Sequence, residues 1–268
     1  MDKIFAKEII SLKESHDDIL KDDATVSEMR RKIKEGSIYV FKNAYPKDKI
    51  NKIKQYLCTV GQNSIPNYMK IEKDCPNSHR INIWDERAYV LACMHQFAFF
   101  PWNQDIFCLF DCFKQMYHLR NLLSGNPKNK FLGLEPEDDC IGRITFQFYP
   151  SGIGGMNKHQ DPIGHHQLAI PIMQMSTKGE DFHKGGNFME GKNGEKIMTD
   201  DLTSCGDIVY FNASIPHGVD TIDPGHKVDW FSFKGRWMVI FAVNKLFGTV
   251  EVDDALDLVK KEKVAALV

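Results

Sequence analysis

Residues 141–150, IGRITFQFYP, alternate polar and apolar side chains with a period of two. That period predicts a strand with one face turned toward a core. Short β-type runs follow it: HHQLAIPIMQMS, GNFMEG, EKIMTDDL, DIVYFNASI, HGVDTID and GRWMVIFAVN. Gly185-Gly186, Asn193-Gly194, Cys205-Gly206-Asp207 and Asp223-Pro224-Gly225 punctuate them with turn chemistry. Short strands at this density predict a β-sandwich or barrel.

The chain before Cys140 has a different texture. Residues 3–21 and 25–35 mix charged and apolar positions at helical spacing, with Thr25 or Ser27 as caps. Gly36 breaks the pattern, and 37–45 reads as a strand. Pro46 and Asp48 open a helix that ends at Gly61. Residues 88–123, rich in aromatics and leucine, predict one or two buried helices interrupted at Pro101. The C-terminal EVDDALDLVKKEKVAAL returns to helix. The expected class is α+β, mainly β with flanking helices. It is one domain: 1–139 mostly helical, 140–246 the β-core, 247–268 a closing helix.

Composition narrows the function classes. A net charge of -2 and a pI near 6.5 supply no basic surface for nucleic acid or an anionic membrane. No run approaches a membrane span, and charges interrupt the N-terminus too early for a signal peptide. The seven cysteines include no CxxC pair, so reduced thiols and a cytoplasmic location are expected. Cys108 and Cys112 fall on one helix face but lack the further ligands of a zinc site.

The chemistry lies in His159-Gln160-Asp161. In extended chain, residues two apart share a face, so His159 and Asp161 can reach one metal while Gln160 points away. His217, in NASIPHGVDTI, offers a third ligand at the start of another strand. Two histidines and a carboxylate form the facial triad of non-haem iron(II) oxygenases. Three protein ligands leave three octahedral positions for a bidentate 2-oxo acid and dioxygen, whereas structural zinc is closed by four.

The ordered set ITFQFYPSG, HQD, GGNF, CGDIVYF, PHGV and GRWMVIFAV resembles the Fe(II)/2-oxoglutarate-dependent dioxygenases, in their phytanoyl-hydroxylase-like and prolyl-hydroxylase-like forms. The resemblance covers about Ile141 to Asn244. It implies a double-stranded β-helix, or jelly roll, with iron(II) on His159, Asp161 and His217. It also implies 2-oxoglutarate as cosubstrate, and oxidation of a substrate C–H with release of succinate and CO2. The outcome would be hydroxylation, desaturation or cyclisation. The carboxylate at Asp161 favours these over halogenation, whose family members carry a small residue there. The family also places a cation after the distal histidine to bind the cosubstrate's carboxylate. Lys227 has the usual spacing, and Arg236 lies farther on. Arg236 is preferred, because a cation in an apolar strand requires a partner, and an arginine fork suits a carboxylate. The spacing implies an insertion at 223–234, and Met238 stands where many members have serine. Thr145, Gln147 and Tyr149 share one strand face and are the candidates to complete that site.

The substrate is expected to be a small molecule, such as an amino acid derivative or secondary metabolite. Gly152, Gly154 and Gly155 suggest a loop able to close over it, with 177–185 and 223–234 as other rims. Arg80, Trp84, Gln96 and Trp102 are further pocket candidates, and His165 and His166 are expected to be packing or supporting residues. Two alternatives stand beside this reading: a cupin-type metalloenzyme independent of 2-oxoglutarate, and a jelly-roll binding module without catalysis.

Overall fold

The computed structural model describes residues 3–162, 164, 166–248 and 254–260. Its first half contains β1 (Glu8–Leu12), α1 (His16–Ile19), α2 (Asp23–Lys34), β2 (Ser37–Phe41), α3 (Lys47–Asn63), β3 (Ser78–Ile83), β4 (Ala92–Phe99), α4 (Leu109–Cys112) and α5 (Lys114–Leu123). Then come β5 (Cys140–Pro150), β6 (Gly155–Gln160), β7 (Ala169–Gln174), β8 (Gly186–Glu190), β9 (Lys196–Met198), β10 (Ile208–Asn212), β11 (His217–Asp220), β12 (Gly235–Lys245) and β13 (Leu256–Asp257).

The strands form one curled sheet in the order β1-β2-β10-β7-β12-β5-β4-β6-β11-β8-β9, with β3 beside β4 and β13 beside β6. The bend lies between β4 and β6, which share only the pairs Ala92↔Met156 and Cys93↔Gly155. This is the expected jelly-roll core. Parity sorts its two faces. On β5, Ile144, Phe146 and Phe148 join Trp237, Val239 and Phe241 of β12 beneath the helices. The alternate residues of both strands, Tyr149 and Met238 among them, face the interior of the curl.

Two expectations about the first half are corrected. Residues 3–21 are not one helix: 8–12 form β1, which pairs parallel with β2. β-branched Ile9 and Ile10 suit that edge, and pairing there outweighs a mixed local pattern. Residues 92–99 are not helix but β4, buried at all eight positions. A strand covered on both faces shows no alternation, so its apolar run resembles a buried helix. The segment 1–139 therefore contributes four strands to the sheet and is not a mostly helical flank.

The helices that do form have local causes. Asp22 caps α2 by accepting from the Ala24 and Thr25 amides. α2 buries Val26, Met29 and Ile33 at helical spacing. Gly36 ends it at φ +101°, where an added Cβ would lie 2.1 Å from the Phe5 carbonyl oxygen. Of the expected C-terminal helix, 256–257 form β13 and only 258–260 are helical; the remainder lies outside the described residues. No described helix is long and apolar enough to cross a membrane.

Candidate metal centre

β6 ends on His159 and Gln160, and Asp161 follows at once, its amide held by the Ala213 carbonyl at 2.9 Å. β11 begins on His217, directly opposite His159 in the antiparallel register. Facing residues on neighbouring strands bring their side chains together, and the two imidazole centroids lie 4.2 Å apart. Gly218 permits this approach, since a Cβ there would meet the Met156 carbonyl oxygen at 2.9 Å.

The ring orientations are fixed in the same way twice. His159 Nδ1 donates to the carbonyl of Asn157, and His217 Nδ1 to that of Ile215, each at 2.8 Å. Both residues therefore turn Nε2 toward Asp161, at 3.5 and 3.2 Å from the carboxylate oxygens. One donor atom from each of the three side chains lies within 4.8 Å of the others. Both histidines are almost fully buried. Burial alone would raise the Asp161 carboxyl, but the two imidazoles hold it well below the usual carboxylate range. Two oriented neutral nitrogens and one ionised carboxylate fit a divalent first-row metal, and backbone carbonyls supply the outer hydrogen bonds such ligands need.

The triad opens on a cavity of about 360 Å³. Gln147 and Tyr149 line it, with Tyr149 donating to Gln147 Oε1 at 2.7 Å. Arg80 and Gln96 also line it, while Trp84 and Trp102 do not. Trp102 instead donates to the Cys75 carbonyl. Thr145 is fully buried and outside the lining, with no partner for its hydroxyl among the described residues. His166 stacks edge-on against Phe131 and contacts Asp138; His165 lies outside the described residues.

Arg236 occupies the inner face of β12 but sits one layer behind the cavity wall, 5.7 Å from the Tyr149 ring. It is fully buried. Nε and one terminal nitrogen grip both oxygens of Asp200, at 2.6 and 3.0 Å, and Gln174 accepts a further bond at 3.1 Å. Its Nη1 has no partner among the described residues. Asp200 also accepts from the Asn187 amide at 2.6 Å. Nothing in the sequence marks Asp200, one of two aspartates in a turn after β9. Lys227 is exposed and outside the cavity.

The expected rims do not border the cavity. Asp223 ties the two segments together, accepting from the His183 and Lys184 amides and from Ser151 Oγ. The glycine loop is pinned beside them, with the Gly152 amide on Ile222. The lining comes instead from segments around 68–71, 80–90, 244–248 and 254–255. Arg143 is among the lining residues that sequence reasoning missed. It has the same parity on β5 as Thr145, Gln147 and Tyr149, and that was the available signal.

No protein-family model matches the sequence, and no curated protein does. Solved structures share the fold. A full-length Neurospora crassa protein, solved in complex with alpha-KG and thymine, aligns with TM-score 0.55 and 10% identity over 100% of this chain and 98% of its own. A putative oxygenase from Shewanella oneidensis gives 0.51 and 13% over 98% of each chain. A Pseudomonas putida prolyl-4-hydroxylase gives 0.50 and 13% over 82% of this chain and 98% of its own. The chain thus has the double-stranded β-helix fold of the 2-oxoglutarate/iron(II) oxygenases, with a His-Asp-His cluster inside it.

Proposed function

We propose that the protein is an Fe(II)- and 2-oxoglutarate-dependent oxygenase that oxidises a C–H bond of a small molecule, releasing succinate and CO2. One observation carries the reading: both histidines are locked by backbone carbonyls so that Nε2, and not Nδ1, faces Asp161 at the cavity. Bound to His159, Asp161 and His217, iron(II) would supply the centre at which dioxygen is reduced as 2-oxoglutarate is decarboxylated.

The protein's own part is positioning and exclusion of water. Arg236 meets the cosubstrate's distal carboxylate through its unpartnered Nη1, and Gln147 and Tyr149 form the wall above it. Asp200 must then share the guanidinium or shift. Apolar Ile172, Met238 and Ile240 line the same chamber and keep it poor in water. A volume of about 360 Å³ suits a small substrate. Succinate formation from 2-oxoglutarate tests the reading. It should require iron(II) and oxygen and fall to background in His159→Ala. Undiminished turnover in that variant would reject the ligand set.

A further inference from the structure

Building on the oxygenase reading, we infer that Arg143 and Arg80 form a second anionic subsite, which binds a carboxylate of the primary substrate. Arg143 projects from the inner face of β5, and Arg80 from β3, opposite Gln96 of β4. Both line the cavity that holds the triad. Neither makes an ion pair among the described residues, and the Nε of each is buried without an acceptor. Arg80's charge lies over the face of the Tyr68 ring at 5.3 Å and within the field of Asp85 and Arg87, with neither of which it pairs.

Cations in this position are costly. Both arginines are partly buried, and a guanidinium that loses hydration without a counter-charge gains nothing in return. Burial, with Arg80 adding to it, pushes the Arg143 guanidinium down to about 10. It remains charged at neutral pH. The neighbouring acids among the described residues are already committed. Asp161 faces both imidazoles, Asp85 grips Arg87, and Asp254 pairs with Lys245 at 2.9 Å. Lys70 lies on the Phe247 ring. Two guanidiniums in one cavity, the charge of Arg80 felt at Arg143, therefore have open donors and no acceptor among the described residues, and a carboxylate fits their planar fork.

The cosubstrate does not account for them. It has one distal carboxylate, and in the reading above that group lies at Arg236. In the β5/β12 ladder Tyr149 faces Arg236, while Arg143 faces Ala242, six residues along. At the rise of a strand this separates the two backbone positions by roughly 20 Å. Ala242 is small and leaves the space before Arg143 open. Two cationic poles are thus set apart, Arg236 behind the cavity wall and already neutralised by Asp200, and Arg143 in the lining and not neutralised. A substrate acid held at the second pole would present its carbon chain to the apolar wall beside the triad.

A matched pair of probes, benzoate and neutral benzamide, tests this on the full chain saturated with zinc(II) and 2-oxoglutarate. Calorimetry should show benzoate binding at least about tenfold more tightly, equal to about 1.4 kcal/mol. Arg143→Gln and Arg80→Gln should each bring the two probes within about twofold, and Arg143→Lys should keep part of the preference. The anaerobic iron(II)–2-oxoglutarate absorption band reads the other pole and should persist in the glutamine variants. Equal binding of both probes by wild type would overturn the inference, as would a preference that survives in both glutamine variants. Loss of the band in Arg143→Gln would assign Arg143 to the cosubstrate and overturn it too. If wild type itself forms no band, the oxygenase reading fails; if the band forms without a benzoate preference, only this subsite does.

Discussion

Asp200 holds the guanidinium that the cosubstrate is proposed to use. The two carboxylates compete, and the competition can be measured. In Asp200→Asn, Arg236 loses its counter-charge and one of its two bonds to residue 200, and removing the charge of one partner of a buried pair costs about 3–5 kcal/mol. Added 2-oxoglutarate should restore much of that loss. The variant should therefore melt earlier than wild type when free, yet gain more from 2-oxoglutarate in a thermal-shift titration. Arg236→Ala should instead raise the 2-oxoglutarate KM by about tenfold or more. An unchanged KM in Arg236→Ala, with an unchanged shift in Asp200→Asn, would place the anchor elsewhere. The need for a cation on the last long strand was legible in the sequence, because Arg236 stands in an otherwise apolar run. Its pairing was not, because Asp200 is 36 residues away and carries no periodic signal.

At the scale of elements, the strands after Cys140 were legible because alternation and turn residues agree there. β5 and β12 show this best: their even and odd positions divide between helix-covered core and cavity as the period requires. β4 was not legible, because both of its faces are covered. It carries His95, whose Nδ1 lies 3.0 Å from Nε2 of His79 on β3, with Phe97 stacked on His79. Burial depresses both imidazoles to about 4. The unfolded chain would take up these protons near 6.5, whereas the folded chain resists until about 4. The pair's contribution to stability is therefore full above pH 6.5 and is lost as pH falls toward 4. By pH 5 the loss should be about 4 kcal/mol for the pair, about 2 from each imidazole. Melting curves should show wild type weakening between pH 7 and 5, and His95→Phe weakening less. An equal slope in both would exclude this pair as the source.

Across the whole molecule, the curl of the sheet brings residues far apart in sequence to one chamber. The triad joins β6 to β11, and Arg80 and Arg143 reach the same space from β3 and β5. The triad was legible because its members lie at strand ends and in a recognisable order. The chamber's rim was not, since Asp223 ties the anticipated loops to each other and away from the mouth. The central claim is that this triad holds iron(II) with 2-oxoglutarate bound directly to it. An anaerobic absorption spectrum tests that most directly. Iron(II) and 2-oxoglutarate together should produce the weak visible charge-transfer band of the chelate in wild type, and His159→Ala should lack it. A wild-type spectrum without the band, or a normal band in His159→Ala, would contradict the account.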